Sequence, residues 1–485
     1  MPLKPSRRNF LQSTATATVG AGLGALSGSR SLADQAVKPE KSPNEQVVFG
    51  YIGAGIRFHS IVPNATNFGP AAALADVDDV QRGRGLQTIH EAHYKRDFPV
   101  DMLSCRDYRR ILDRNDIDAV VIATPDHWHT KMAIEAMQAG KDVYCEKPLT
   151  LTIREGQQIR EALAKYPQVM QVGTQQRTEH GGLFVDAATI VRDNRVGKMR
   201  RVTCAIGNPL DCSAIPLADV PRHLDWDAWL GQAPMVDYRE TSDIAKAIGY
   251  GAGHPYSRTH NYFRWWYEYS GGKLTDWGAH HVDIAMWAME KSHADVGPIK
   301  IDPIEVYHPV PLDANGMPTL NDRFNVATQF KVRVTFDDGV EMDVYNKADH
   351  LGFDNGIMFQ GEEGRFFVNR GKLTGKPVED LKDRPLPSDA LEQLYGRKVT
   401  PNHMADFVEC MKTRNTPVSD AESHHRNLSV CHAINIAMRL GRSLTFDPAT
   451  ETFQDDPQAN GFLEREQRKG YEIVVCARQT ISRVL

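Results

Sequence analysis

The sequence predicts an α/β fold in two parts: a doubly wound parallel sheet first, then an α+β domain on a large, open, mostly antiparallel sheet. Three observations predict it. Residues 46–172 alternate short apolar runs with helical patterns, the texture of βαβ units. The apolar run Val47-Val48-Phe49-Gly50-Tyr51-Ile52 opens onto Gly53-Ala54-Gly55, a strand-to-helix turn in which backbone N–H groups can approach a pyrophosphate. After residue 173 apolar residues alternate at period two, with turns such as Asp337-Asp338-Gly339, as in antiparallel strands with one solvated face. At 485 residues the chain exceeds one ordinary core, so two domains are expected.

Taken in order, the chain begins with Ser6-Arg7-Arg8-Asn9-Phe10-Leu11, a twin-arginine pattern. An Ala/Gly/Thr-rich stretch too short and polar to span a bilayer follows, then Ser31-Leu32-Ala33, a small-x-small cleavage signal. Residues 1–33 therefore read as a Tat export signal and residues 34–45 as a polar linker; the expected destination is the periplasm. In the Rossmann-type segment, 46–172, strands are expected at Val47–Ile52, Ala71–Ala75, Ala119–Ala123, Asp142–Cys145 and Val169–Val172. Helices are expected at His90–Tyr94, Tyr108–Asp113, Lys131–Ala139 and Ile153–Ala164. The second domain, 173–485, offers strands at Arg200–Ile206, Ile304–His308, Phe330–Phe336, Glu341–Asn346 and Arg365–Val368. Its helices are expected at the end of a Gly/Trp/Tyr/His-rich block (249–290), at His403–Lys412 and at His424–Leu440.

Charge narrows the function classes. The net charge is −5, and loss of residues 1–33, which hold Lys4, Arg7, Arg8 and Arg30 and no acid, leaves about −9. An acidic chain without a sustained basic stripe is a poor nucleic-acid binder. Seven cysteines (105, 145, 204, 212, 410, 431, 476) show no C-x-x-C spacing, so neither a disulfide framework nor a zinc ribbon is expected.

Four motifs carry chemistry. Gly53 and Gly55 form the phosphate turn, although Phe58 stands where a third glycine is usual. Asp76, at the end of the second strand, is placed to accept from ribose hydroxyls, favouring NAD over NADP; the alternative is a solvated loop acid. Thr124-Pro125-Asp126-His127-Trp128-His129 follows the Ala119–Ala123 strand at the edge where ligands bind, so His129 is either a nicotinamide-side group or an ordinary loop histidine. In Glu146-Lys147-Pro148 the proline restricts the lysine's backbone. A lysine so held can bind a substrate oxygen and stabilise alkoxide character, unless Glu146 merely caps and Lys147 is solvated. Finally, Asp276 and His280, four apart in Gly271-Gly272-Lys273-Leu274-Thr275-Asp276-Trp277-Gly278-Ala279-His280-His281-Val282-Asp283, would share a helix face, the acid orienting a general base. A metal held by His280 and Asp283 lacks a third ligand, and no metal is expected.

In this order and spacing, the motifs resemble those of the Gfo/Idh/MocA family of NAD(P)-dependent oxidoreductases, from about residue 46 to the C-terminal helices. The resemblance implies a sugar, polyol or sugar-derivative substrate and hydride transfer to or from a nicotinamide. It places the catalytic lysine at Lys147 and the catalytic aspartate and histidine at Asp276 and His280. It implies cofactor contacts from Gly53, Gly55, Asp76, Thr124, Pro125, His129, Glu146 and Lys147, and substrate contacts from Gln175, Gln176, Arg177, Tyr262 and Arg264 besides Lys147 and His280. A homodimer or homotetramer through the open sheet is also implied. The export signal is similar to that of exported members like glucose–fructose oxidoreductase, which implies a tightly held cofactor. Two rivals remain: glycoside cleavage by transient oxidation, and a sugar-binding protein on a retired scaffold. The aromatic group Tyr262, Trp265, Trp266 and Tyr267 is either a sugar platform or core.

Overall fold

The computed structural model describes residues 46–99, 101–244 and 255–475. The expected export signal (1–33), the linker (34–45) and Cys476 lie outside the described residues. The first sheet has six parallel strands: β1 (Phe49–Ile52), β2 (Ala71–Ala75), β3 (Leu103–Cys105), β4 (Ala119–Ile122), β5 (Asp142–Cys145) and β6 (Met170–Val172). Their order is β3-β2-β1-β4-β5-β6, the doubly wound arrangement in which ligands bind where the order reverses, between β1 and β4. All four residues of β4 are buried because helices cover both faces, which is why the run reads as continuously apolar. The connecting helices are α1 (Ile56–Ala65), α2 (Asp79–Tyr94), α3 (Arg109–Leu112), α4 (Asp126–Gln138) and α5 (Ile153–Lys165). Asp78 starts α2 by accepting from the Val80 and Gln81 N–H groups, and Thr152 starts α5 by accepting from that of Glu155.

The missing third glycine has a structural answer. Phe58 is buried on α1 and meets the Tyr51 ring edge-on. The room is made on α2, where a Cβ on Gly85 would stand 2.8 Å from Ala54 Cβ and from Leu74 Cδ2. Close helix packing has moved from the phosphate turn to its neighbour.

The second part contains α6 (Leu183–Arg192), β7 (Met199–Ile206), α7 (Trp226–Leu230), a ribbon of β8 (Glu240–Ile244) and β9 (Pro255–Ser257), α8 (Lys273–Asp276) and α9 (Gly278–Ala288). β10 (Ile299–Tyr307), β11 (Gln329–Thr335), β12 (Glu341–Tyr345), β13 (Asn355–Gly361), β14 (Arg365–Val368) and β15 (Leu373–Gly375) follow. Then come α10 (Lys376–Glu379), α11 (Ala390–Tyr395), α12 (His403–Thr413), α13 (Ala421–Leu440), β16 (Leu444–Asp447) and β17 (Thr452–Phe453). The nine-stranded sheet runs β15-β14-β13-β7-β12-β11-β10-β16-β17, antiparallel throughout except for the β7–β12 pair. Helices α6, α9 and α13 fill one face, packing Phe184, Val282, Ala285, Leu428 and Ile434 with Val202, Cys204, Val332, Val344 and their neighbours. On the other face the alternate residues form an ion-pair ladder: Arg333 Nε lies 2.8 Å from Asp343, Lys331 2.9 Å from Glu305, and Arg201 pairs with Glu341.

The two sheets are stitched together late in the chain. Met404, Phe407, Val408 and Met411 of α12 join Phe49, Tyr51 and Phe58 on one face of the parallel sheet, while Ala421, Ile473 and Val475 join the other. No helix among the described residues is long and apolar enough to cross a membrane. The described cysteines are all free, and those other than Cys212 are buried.

Candidate active site

A cleft of about 750 Å³ runs along the carboxyl ends of β1, β2, β4 and β5 and is closed on its far side by α8, α9 and the 208–231 segment. Gly53, Gly55, Asp76, Thr124, Pro125, His129, Glu146, Lys147, Gln175, Arg264, Asp276 and His280 all line it. Sequence neighbours have been separated here: Gln176, Arg177 and Tyr262, from which substrate contacts are expected, do not line the cleft. Arg177 is buried and forks onto both oxygens of Asp283 at 2.8 Å, its third nitrogen reaching Val418 O and Ser423 Oγ. Gln176 faces His281, and Tyr262 stacks on Phe324 in the aromatic core. Trp265, Trp266 and Tyr267 are buried in the same core, which identifies that group as packing, with Trp265 alone of the four reaching the cleft wall.

The cofactor side is built from backbone. Gly53 has φ +88, and a Cβ there would lie 2.7 Å from the Ala123 carbonyl oxygen; only glycine lets the β1 turn pass so close to the end of β4. Gly55 caps α1 without a side chain, and an added Cβ would meet no atom within 4 Å. Nothing in the packing demands that glycine; it keeps space open over the helix N-terminus, where a phosphate fits. Thr124 Oγ1 is buried beside the turn without a hydrogen-bond partner, a second sign that a polar ligand completes this wall. Asp76 accepts from the Ala54 N–H at 2.7 Å and from the Asp78 N–H at 2.8 Å. Burial pushes its carboxyl up to about 6 against those bonds, so it is ionised at neutral pH with lone pairs left for hydroxyl donors. Glu146 accepts from Gln175 at 2.9 Å and pairs with Arg57 of α1 at 3.0 Å. Its carboxylate fits because Gly173 has no side chain: a Cβ there would be 2.5 Å from Oε1.

The Thr124–His129 motif knits the cleft together. His127 Nε2 and Trp128 Nε1 both point to the Trp229 carbonyl, at 3.0 and 2.9 Å. The His129 ring nitrogens lie 2.6 Å from Pro148 O and 2.9 Å from Thr124 O. His129 thus clamps the β4 exit to the cis Lys147–Pro148 bond, and its nitrogens are engaged by backbone rather than directed at a ligand. This holds Lys147, which sits at the end of β5.

The candidate catalytic group differs from the expected geometry in one respect. Lys147 Nζ donates to Asp276 Oδ1 at 2.5 Å and to the Asp276 carbonyl at 3.2 Å; Arg264 Nε stands 4.0 Å from the same carboxylate. The Asp276 side chain therefore faces the lysine, not His280. A cation arriving from the other sheet is a stronger partner for a carboxylate than a neutral imidazole, and Asp276 ends α8 whereas His280 belongs to α9. Burial acts to raise the Asp276 carboxyl, but Lys147, Arg264 and Lys273 outweigh it and hold it well below the usual range. His280 Nδ1 is buried without a hydrogen-bond partner. Burial pushes the imidazole well below its ordinary value, with Lys147 and Arg370 acting in the same sense, so it is neutral at pH 7.

Several lining groups were given no role by the sequence. Asp126, first residue of α4, accepts from Ser270 Oγ at 2.5 Å, and burial pushes its carboxyl up to about 7 against that bond. Arg370, from the β14–β15 turn, lies 4.6 Å from the Trp277 ring centroid. The 208–231 segment docks over the end of β2: the Asp225 N–H donates to Val77 O at 3.0 Å and the Asp79 N–H to His223 O at 2.9 Å. The C-terminal segment pins it in turn, Arg468 donating to Gly231 O at 2.8 Å and Tyr471 to Asp227 at 2.6 Å.

Comparison with known proteins agrees with this architecture. Residues 47–174 match the NAD-binding Rossmann fold of the Gfo/Idh/MocA oxidoreductase family, and residues 211–473 match its C-terminal alpha/beta domain. The chain belongs to that family, and its first domain is an NAD-binding Rossmann domain. Among curated proteins it is 35% identical over 166 residues to a glycosyl hydrolase family 109 protein of Shewanella sp. (strain W3-18-1), covering 32% of this chain and 36% of that one. It is 33% identical over 163 residues to an alpha-N-acetylgalactosaminidase of Shewanella oneidensis, with the same coverage. The chain thus spans about a third of the length of these relatives. Similar solved structures include the WlbA dehydrogenase of Bordetella pertussis in complex with NADH and UDP-GlcNAcA (TM-score 0.53, 18% identity, 82% of this chain and 98% of that). Levoglucosan dehydrogenase in complex with NADH and L-sorbose is another (TM-score 0.54, 18% identity, 83% and 99%). At these identities the likeness is one of fold.

Proposed function

We propose that the protein is an oxidoreductase that carries a nicotinamide dinucleotide, NAD in preference to NADP, and moves hydride between it and a hydroxyl-bearing carbon of a sugar, polyol or sugar derivative. The observation that carries this is the convergence of Lys147 and His280 on one wall of the cleft whose other wall is the Gly53–Gly55 turn. The nicotinamide, when bound, supplies or accepts the hydride. Lys147 Nζ, anchored by Asp276, binds the substrate oxygen and stabilises its negative charge as the proton leaves. His280, neutral and with Nδ1 buried, receives that proton at Nε2. Asp76, held by two backbone N–H groups, would accept from the ribose hydroxyls, which favours NAD. The docked 208–231 segment, locked by Arg468 and Tyr471, supports a cofactor retained through turnover.

A second reading, glycoside cleavage by transient oxidation of the sugar, draws on the glycosyl hydrolase family 109 relatives. The two separate in one assay: the dehydrogenase accumulates oxidised sugar with reduced cofactor, whereas the glycosidase releases free sugar with no net reduction. The same proposal places the protein in the periplasm, delivered folded by residues 1–33; Arg7→Lys with Arg8→Lys should leave it in the cytoplasmic fraction. Pairing of the nine-stranded sheet through its ion-pair face into a homodimer or homotetramer completes the proposal and is checked by light scattering.

A further inference from the structure

Lysine and arginine side chains cluster on the substrate wall of the cleft. Lys147 and Arg264 both lean on Asp276. Asp126, the nearby second acid, is engaged by Ser270, and burial favours its neutral form. Two further cations, Lys273 and Arg370, line the same wall, their charged ends 5.6 and 4.6 Å from the centroid of the Trp277 ring. The Lys273 ammonium makes no hydrogen bond or ion pair among the described residues, and burial lowers its pKa against the pull of Asp276 three residues on. Its position is built: the end of its stem crosses Gly207, where a Cβ would come within 3.3 Å of Lys273 Cε, and Trp277 lies one turn along. Beyond burial, Lys147, Arg370, His281 and Arg57 all disfavour the protonated form of His280.

We propose that Lys273 and Arg370, set about the Trp277 ring, form an anion subsite, and that the substrate is a carbohydrate whose carboxylate or phosphate is held there while a hydroxyl lies against Lys147 and His280. The assignment of the reacting hydroxyl rests on the hydride-transfer reading above; the subsite itself does not. An oxyanion supplies the partner that the Lys273 ammonium lacks, through charge-assisted hydrogen bonds, and the Arg370 guanidinium adds a second positive charge beside it. It also offsets the positive field at His280, strengthening the imidazole as a proton acceptor only once this substrate is bound.

The test is a binding measurement that needs no turnover. The full protein, loaded with NAD, is titrated calorimetrically with glucuronate, galacturonate, glucose 6-phosphate, glucose and galactose. At least one anionic sugar should bind about tenfold or more tightly than its neutral counterpart, with affinity falling as salt rises. Uronate preference assigns a carboxylate substrate, and phosphate preference a phosphorylated one. Lys273→Gln and Arg370→Gln should each pull the anionic-to-neutral ratio toward one. Equal affinity for charged and neutral sugars, binding of none of them, or a preference untouched by both substitutions would overturn the subsite; the wild-type comparison decides even if a variant does not fold. Lys273-dependent binding of an anionic sugar that never reduces NAD would remove the hydride reading and leave the subsite standing. A neutral polyol oxidised with no anionic preference would do the reverse.

Discussion

The two walls of the cleft are made by different means. The cofactor wall is backbone: a glycine turn, a helix N-terminus and strand ends, with Asp76 bonded to N–H groups two and twenty-two residues away. The substrate wall is side chains brought from four separate segments, with Lys147 meeting Asp276 across 129 residues of sequence. The first kind of wall depends chiefly on its glycines and on Asp76; the second can be rebuilt by single substitutions. Binding of cofactor and chemistry on substrate should therefore fail separately.

The sharpest way to break that comparison is at Lys147 and His280. Replacing either with alanine should cost about 10²–10⁴-fold in turnover while the nucleotide stays bound, read by single-turnover kinetics alongside nucleotide content. Loss of both functions together would mean the walls are not independent. On the opposite wall, Gly53→Val should abolish nucleotide retention, because its side chain meets the Ala123 carbonyl. Asp76→Ala should have a milder effect, weakening NAD binding and relaxing discrimination against NADP, measured by titration of each nucleotide. Arg468→Ala, which releases the clamp on the 208–231 segment, should speed NAD dissociation without changing the rate of the chemical step.

The smallest effects concern pH and stability. Burial holds His127 at about 3 and His281 at about 4, below the unfolded value of about 6.5. Between those values the unfolded chain binds more protons than the folded one, so stability should fall as pH drops below about 6.5. Asp126 has the opposite sign. Its folded value of about 7 exceeds the unfolded value of about 3.9, so its contribution is complete below pH ~4 and is lost as pH rises toward 7. Asp126→Asn should remove that alkaline loss and leave the acid limb in place, as read from urea midpoints across pH.

How much was legible in the sequence follows the same division. The strands at Ala71–Ala75 and Asp142–Cys145 fall where the apolar runs place them, and Gly53, Asp76, Lys147, Asp276 and His280 reach the cleft because local motifs mark them. β3 and β15 went unread: three residues are too few to show a period, and their pairing comes from neighbouring strands. β13, a central strand, has glycines at its second and last positions that look like turns. Arg177 read as a substrate contact because its partner Asp283 lies 106 residues on, and Arg370 was invisible because an Asn-Arg-Gly turn carries no mark of the cleft it enters. The Asp276–His280 spacing located both residues and yet misassigned their contact, since the Lys147 ammonium competes for the acid from another sheet.

The central claim is that a retained nicotinamide and a Lys147–His280 wall act together on a sugar hydroxyl. The most direct measurement takes the full protein purified without added nucleotide, identifies whatever nucleotide is released on denaturation, and follows the reduced-nicotinamide absorbance band as neutral and anionic sugars are added in turn. Recovered NAD that becomes reduced in wild type and stays oxidised in Lys147→Ala is the predicted result. A protein that carries no nucleotide and binds none when it is supplied would contradict the account.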